Sequence, residues 1–152
     1  AARAQLGAHL AGFGEEFASL GIQLGARYDG SPLIVPDETE PPVGTPIDYV
    51  PTSCPGGRAP HIWLENGDSI LDRFGKWFTL LKLGGTETNT AALEEAAAAQ
   101  GVPLWVVEIG DSAARRLYER DLVLVRPDGH VAWRGNAAPN DTAGLFRQLT
   151  GY

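Results

Sequence analysis

Residues 121–135, Asp-Leu-Val-Leu-Val-Arg-Pro-Asp-Gly-His-Val-Ala-Trp-Arg-Gly, contain two predicted β-strands joined by a tight turn. Residues 122–125 are all aliphatic, which predicts a strand buried on both faces, and residues 130–133 alternate polar and apolar side chains, which predicts a half-buried strand. Between them, Pro127 presets φ for a turn and Gly129 accepts a positive φ. We therefore expect an antiparallel hairpin, which is stable only as part of a larger sheet.

The sequence before the hairpin supplies the rest of that sheet. Residues 77–83 and 104–109 are apolar runs typical of buried strands, and the alanine-rich segment between them is typical of a helix. Because a helix joins these two strands, we expect them to pair in parallel. Two further helices are expected, with caps from Asp111 or Ser112 before the hairpin and from Asn140 or Asp141 after it. The order β-α-β-α-β-β-α in a mixed sheet is that of the thioredoxin-like fold, an α/β class.

The first part of the chain has a different composition. Residues 1–10 fit a short helix, and residues 22–28 and 31–35 fit two short strands or extended segments. Eight of the eleven prolines then lie between residues 32 and 60. Proline excludes a helix or a central strand there, so the pattern predicts an extended, polyproline-like arm that must lie against a neighbour to be ordered.

Composition excludes several classes of partner. The formal net charge is −7 and only two lysines are present, which argues against nucleic-acid and anionic-membrane surfaces. The sequence has neither a long apolar run nor a secretory leader, so we expect no membrane span and a cytoplasmic location. A hydrophobic content of 43% is enough for a real core.

No catalytic, cofactor-binding or metal-binding residue is predicted. A thioredoxin-like fold keeps its redox chemistry in the loop after the first strand, here residues 84–88, and that loop contains no cysteine. Cys54 is the single cysteine, so no Cys-x-x-Cys pair exists anywhere in the chain. The three histidines lack the spacing of a metal site, and the glycine pairs lack the spacing of a phosphate-binding loop.

One cluster has the character of a docking site. In Pro-Gly-Gly-Arg-Ala-Pro-His, residues 55–61, prolines and glycines fix the backbone that carries Arg58, whose planar guanidinium can bind a carboxylate or a row of carbonyls. We expect Arg58, Pro60 and His61 to take part in domain docking. The alternative is a rigid elbow that leads into a short strand, which we expect at residues 61–64.

Several stretches together resemble the C-terminal region of the FAD-dependent aromatic hydroxylases, which include phenol hydroxylase and the polyketide hydroxylases of aromatic antibiotic pathways. The most specific stretches are Pro-Gly-Gly-Arg-Ala-Pro-His at residues 55–61 and Leu-Val-Arg-Pro-Asp-Gly-His-Val-Ala-Trp-Arg at residues 124–134. Further matches include Tyr-Val-Pro at 49–51 and Asp-Arg-Phe-Gly at 72–75. The resemblance covers nearly the whole chain.

The resemblance implies a thioredoxin-like domain without redox cysteines, placed behind FAD and substrate domains. The parent would hydroxylate a phenolic or polyketide ring with FAD, NAD(P)H and oxygen. The flavin-binding motifs of the family have no counterpart here, so we expect no cofactor in this fragment itself. Residues 1–60 would be the tail of the preceding domain and the arm, and residues 61–152 the thioredoxin-like domain. The expected partners are the FAD and substrate domain of the parent and a second copy in a homodimer.

Two other functions stay open at this point. One is a free-standing thioredoxin-like redox protein, and the other is an adaptor that binds a partner protein through the arm. For the arm itself we predict an ordered, docked conformation, in which Arg58 binds carbonyls or a carboxylate at the contact.

Overall fold

A computed structural model describes residues 2–14, 18–85 and 87–152. The chain divides into two compact units, one formed by Ala1–Ala26 with Pro42–Val50 and the other by Arg27–Pro41 with Pro51–Tyr152. Among the described residues, no helix is both long and apolar enough to cross a membrane.

The smaller unit contains two helices, α1 (Ala2–Gly12) and α2 (Leu20–Leu24). The helix expected over residues 1–10 is confirmed over the residues described. At residues 22–28, where a short strand or an extended segment was expected, residues 22–24 belong to α2. Gln23 N donates to Ser19 O at 3.0 Å, which is a helical bond. The weak alternation of so short an apolar segment does not distinguish a strand from a helix.

The larger unit is built on a four-stranded sheet with the order β2-β1-β3-β4. Its strands are β1 (Phe78–Lys82), β2 (Leu104–Glu108), β3 (Leu122–Val125) and β4 (Val131–Gly135). β1 pairs in parallel with β2 and antiparallel with β3, and β3 pairs antiparallel with β4. Its helices are α3 (Ala91–Ala99), α4 (Ser112–Tyr118) and α5 (Thr142–Thr150), with a 3₁₀ helix at Ile70–Arg73. The thioredoxin-like fold predicted from the element order is confirmed.

Local signals explain most of these elements. The carboxylate of Asp111 accepts hydrogen bonds from the backbone of Ala113 and Ala114, and Asp141 accepts one from Gly144, so an aspartate caps each of α4 and α5. The turn of the hairpin closes through Arg126 N and His130 O at 2.8 Å.

The predicted glycine conformation at this turn is also present. Gly129 has φ of +80°, the left-handed conformation that glycine adopts without steric cost. A register irregularity between Leu124 and Val125 lies beside the turn. The predicted tight hairpin is therefore confirmed.

Two segments are more irregular than the sequence indicated. Residues 31–35 form no strand, because Ile34 N bonds back to Ser31 O at 3.2 Å in a turn. At residues 61–64 only Trp63 makes a bridge, with Ser69. Prolines at positions 32, 36 and 60 interrupt the ladders that longer strands in these places would need.

The sheet has an apolar cluster on each face. One face packs against α3 and α5, with the buried side chains Leu80, Leu93, Ala97, Leu122, Leu124, Leu145, Phe146 and Leu149 at its centre. The other packs against α4, the 3₁₀ helix and the segment before it, around Leu81, Ile70, Val123, Val131 and Tyr118. Every position of β3 is buried, as predicted. β4 is buried at all positions but its last, so the half-buried strand predicted at residues 130–133 is wrong, because both faces of the sheet are covered there.

Candidate docking site

The segment at residues 56–59 lies along the outer edge of β4. Gly56 N donates to Val131 O at 2.8 Å, and Val131 N donates to Gly57 O at 2.9 Å. Arg58 and His130 form an antiparallel bridge beside these bonds. Farther along the same edge, Val35 N donates to the β4 carbonyl of Ala132 at 2.9 Å. We call residues 51–60 the docked segment; it extends the sheet and covers an edge that would otherwise be open.

Glycine is favoured at the two glycine positions of the docked segment for different structural reasons. Gly56 has φ of +89°, which disfavours any other residue. At Gly57 a Cβ atom would lie 2.5 Å from Nη1 of Arg27, so the absence of a side chain makes room for that guanidinium. Arg27 in turn donates from Nη2 to the carbonyl of Pro55 at 2.9 Å and pairs with Asp29. The arginine that binds a carbonyl of this segment is therefore Arg27 and not Arg58, so the contact predicted for Arg58 is wrong.

The end of α4 holds the docked segment at two points. Tyr118 is fully buried, and its hydroxyl donates to the carbonyl of Pro60 at 2.8 Å. Ser53 Oγ donates to the carbonyl of Tyr118 at 2.7 Å. Glu119, the next residue, has φ of +64° and ends the helix in the left-handed conformation. These bonds fix the segment from both ends because each satisfies a buried polar group.

Arg134 forms the centre of the polar contacts. Its side chain is 0% exposed although it carries a full charge. Nε donates to Asp37 at 2.8 Å, and Nη1 donates to Ser53 Oγ at 2.6 Å and to Glu119 at 2.9 Å. Arg120 also reaches Asp37, at 3.3 Å. One guanidinium on β4 thus binds residues from three separate parts of the chain.

The pKa of Asp37 reflects this contact. Burial alone would raise the pKa of the Asp37 carboxyl, but hydrogen bonds from Arg134 and from the backbone of Thr39 outweigh burial and hold the pKa below its ordinary value. The carboxylate is therefore charged at neutral pH, as the buried guanidinium requires. Among the described residues, Nη2 of Arg134 has no hydrogen-bond partner, so the network is not fully satisfied.

The three residues predicted for domain docking differ in burial and in their contacts. Pro60 is buried, and its carbonyl is the acceptor for Tyr118. The side chain of Arg58 is exposed, and in the part of the chain described here it makes no hydrogen bond or ion pair. His61 is also exposed, and its ring contacts Trp63 edge to face, with 4.8 Å between the ring centroids.

The sequence reasoning missed Arg27 and Arg134 as the residues that bind the docked segment, and Asp37 as the partner of Arg134. The available signal was Arg134 itself, a charged residue that directly follows the apolar Ala132 and Trp133 of a predicted strand. A charge in such a strand requires a partner. Nothing in the sequence indicated that the partner is Asp37.

The docked segment also contains the single cysteine of the chain. Cys54 is buried, with its Sγ 3.4 Å from the carbonyl of Thr39. Among the described residues no three His, Cys, Asp or Glu side chains are placed to hold a metal ion. Arg27 occupies the space beside Gly57, and Thr88 and Asp121 occupy the space beside Gly84. The geometry is that of an internal docking contact.

The chain is similar to known proteins over most of its length. The sequence profile of the family described as "Aromatic-ring hydroxylase, C-terminal" matches residues 52–151. The FAD-dependent monooxygenase apdD of Emericella nidulans is 39% identical over 143 residues, which are 88% of this chain and 23% of that protein. Thus the chain spans about a quarter of the length of the curated relatives it matches.

Solved structures agree with the sequence matches. RebC-10x, determined in native and K252c-bound forms, is 41% identical to this chain, with a TM-score of 0.81. The match covers 94% of this chain and 27% of the RebC-10x chain. The flavin-dependent monooxygenase PieE, solved in complex with FAD and substrate, is 36% identical to this chain, with a TM-score of 0.80. The match covers 98% of this chain and 28% of the PieE chain. The similarity therefore includes the docked segment as well as the sheet.

Proposed function

The chain belongs to the family of aromatic-ring hydroxylase C-terminal domains, and from that premise we propose that it serves as the non-catalytic C-terminal domain of a FAD-dependent monooxygenase. The whole protein hydroxylates a phenolic or polyketide ring with NAD(P)H and oxygen in the cytoplasm. FAD and the substrate bind to parts of that protein outside this chain. The observation that carries the proposal is the match to one quarter of each relative.

The structure supports a docking and stabilising role. Residues 1–60 act as the tail of the preceding domain and the arm, and residues 61–152 act as the thioredoxin-like domain. Because the docked segment is already bonded to β4 through its backbone, the exposed side chains of Arg58 and His61 are available to a second surface. We assign that surface to the FAD and substrate domain, with the buried Pro60 fixing the backbone between them.

Expression of the complete open reading frame that contains this sequence tests the proposal. We expect a purified protein with a flavin absorbance band, and NAD(P)H oxidation that increases when a phenolic or polyketide compound is added. The 152-residue chain alone should be colourless. A complete protein that binds no flavin when FAD is supplied would overturn the assignment.

The docking role has its own experiment in the complete protein. Replacing both Arg58 and His61 with alanine should lower the temperature at which the flavin is released, since the two side chains are proposed to contact the flavin-binding part. The same change should leave the unfolding of the isolated chain unaltered, because both side chains are exposed. Arg116 is also an exposed arginine, but it lies on α4. Arg116→Ala is therefore the control, and it should leave the temperature of flavin release unchanged.

The proposal includes a second role for this domain, a contact between two copies in a homodimer.

A further inference from the structure

A cleft with a volume of about 580 Å³ lies at one end of the sheet, between the start of β1, the loop from α3 to β2, the hairpin turn and the end of α5. Its volume is within the range of about 300–1,000 Å³ that is usual for small-molecule sites. All of its lining residues belong to the larger unit, and none of them belongs to the docked segment. The cleft is therefore a separate feature of this domain.

The walls of the cleft are mainly apolar and partly aromatic. Trp77 is 58% exposed, and Phe78 and Val102 add half-buried apolar side chains. Pro103 and Pro127 contribute two further apolar rings. A contiguous apolar surface of this kind is typical of a ligand-binding groove, and aromatic side chains stack favourably on other flat rings. The walls therefore suit a flat, apolar ring system.

The charge distribution argues against charged ligands. None of the described residues that line the cleft has a charged side chain, although 20% of the residues in the chain are charged. Helices α3 and α5 both end beside the cleft, and the carbonyl end of a helix carries a partial negative charge. An anionic ligand is therefore disfavoured, and a cationic ligand would find no carboxylate in the lining with which to pair.

Two polar side chains in the lining offer hydrogen-bond acceptors. Gln100 Nε2 donates to the carbonyl of Ala143 at 3.0 Å, which fixes the amide and leaves its Oε1 as a free acceptor. The single hydroxyl hydrogen of Thr150 is used toward the carbonyl of Phe146, 2.8 Å from Oγ1. Within the described part of the chain, neither Gln100 Oε1 nor Thr150 Oγ1 accepts a hydrogen bond. A ligand that donates a hydrogen bond would complement both side chains.

The backbone around the cleft supplies few donors. The N–H groups of residues 100–102 already bond to carbonyls near the end of α3, and those of residues 151–152 bond to carbonyls near the end of α5. Pro103 and Pro127 have no N–H group. The cleft is therefore better suited to a ligand that donates a hydrogen bond than to one that only accepts.

We propose that this cleft binds a phenol, a flat and neutral aromatic compound whose hydroxyl group donates to Thr150 Oγ1 or Gln100 Oε1. A phenolic hydroxyl is a donor that stays uncharged at neutral pH, since its pKa is about 10. The inference goes beyond the proposed function, which places the bound substrate outside this chain. It also does not depend on that function, because the cleft and its acceptors belong to this domain alone.

Titration of the isotopically labelled 152-residue chain with 2-naphthol, followed by NMR, tests the inference. We expect saturable shifts at the residues that line the cleft, with a dissociation constant on the order of 100 µM. Trp77→Ala should raise that constant at least about fivefold, because it removes a large apolar wall. Trp63→Ala is the matched control, since Trp63 is 68% exposed but lies outside the cleft. Shifts that do not saturate, or equal weakening in both variants, would overturn the inference.

A series of ligands tests the donor requirement on the unchanged chain, so it applies even if Trp77→Ala fails to fold. The ether 2-methoxynaphthalene has the same rings but no donor, and it should bind about fivefold more weakly than 2-naphthol because one hydrogen bond is lost. The anion 2-naphthoate and the cation 2-naphthylmethylammonium should each bind more weakly than 2-naphthol. Equal or tighter binding of the ether or of either charged analogue would contradict a site for neutral phenols.

Discussion

Arg134 Nε and Asp37 Oδ2 are 2.8 Å apart, although 97 positions separate the two residues in the sequence. The arginine side chain is fully buried on β4, and the aspartate belongs to the segment that precedes the docked segment. This contact joins the irregular first part of the larger unit to its sheet. It also makes the stability of that unit depend on a single charged side chain.

Arg134→Gln should destabilise the larger unit by about 3 kcal/mol, because it leaves two carboxylates and Ser53 without their shared donor. The estimate is at the low end for a buried pair, since Glu119 is half exposed and can be solvated. Urea unfolding measures the change. Arg147→Gln, which removes an exposed pair with Asp141 at 3.8 Å, is the control and should cost less than about 0.5 kcal/mol. Equal effects of the two changes would show that burial of the pair contributes nothing.

The free energy of unfolding should decrease in acid, and protonation of Asp37 should account for the decrease. The pKa of Asp37 in the folded chain is lower than its ordinary value of 3.8, so its stabilising contribution is complete above that value and is lost as the pH falls through the folded pKa. In urea unfolding at a series of pH values, Asp37→Asn should be less stable than the wild type by a constant margin above about pH 5 and by a shrinking margin below about pH 4. A margin that stays constant down to pH 2 would assign the acid sensitivity to other groups.

Gly129→Ala should destabilise the hairpin by about 1 kcal/mol, because the residue has φ of +80°. A Cβ atom at Gly129 would meet nothing within 4 Å, so only the backbone conformation opposes the change. Gly110→Ala is matched in this respect, since its Cβ also meets nothing and its φ is outside the positive range. Thermal unfolding should show a lower midpoint for Gly129→Ala alone, and equal midpoints would contradict the strained turn.

Trypsin should cut slowly after Arg58 in the native chain even though this side chain is exposed. The backbone around the scissile bond is held by the bridge with His130 and by Ala59 N, which donates to Gly129 O at 2.9 Å. A protease needs that backbone free and extended, so cutting requires local opening.

Gly56→Ala should increase the rate of that cut about tenfold, because φ of +89° at this position strains any other residue. Gly67→Ala introduces the same kind of strain at φ of +85° in a turn outside the docked segment and is the control. Mass spectrometry of the fragments gives both rates. Rapid cutting of the wild type after Arg58 would mean that the segment is not held as described.

The sequence predicts elements whose signal is local and misses contacts that join distant segments. The aliphatic run of β3 and the turn residues Pro127 and Gly129 lie within a few positions of each other, so their pattern identifies the hairpin. The pairing of Asp37 with Arg134 has no periodicity and no fixed spacing, because it depends on how the arm returns to the sheet. The same reason explains why Arg58, rather than Arg27, was the arginine expected to bind carbonyls of the arm.

Segment length explains why neither of the two early stretches forms a strand. Residues 22–28 and 31–35 contain too few apolar residues to establish a hydrophobic period. Local backbone hydrogen bonds instead form part of α2 in the first stretch and a turn in the second. Propensity over such short stretches is easily overridden.

The backbone bonds between Gly56, Gly57 and Val131 also determine how many sheet edges each copy offers. With the docked segment in place, the described residues leave one sheet edge open, that of β2, and copies that paired through a single edge would form a closed pair. If the segment detaches, the buried, apolar strand β4 becomes a second open edge. A sheet with two open edges can add copies without limit, so the docked segment would separate a finite assembly from a growing fibre.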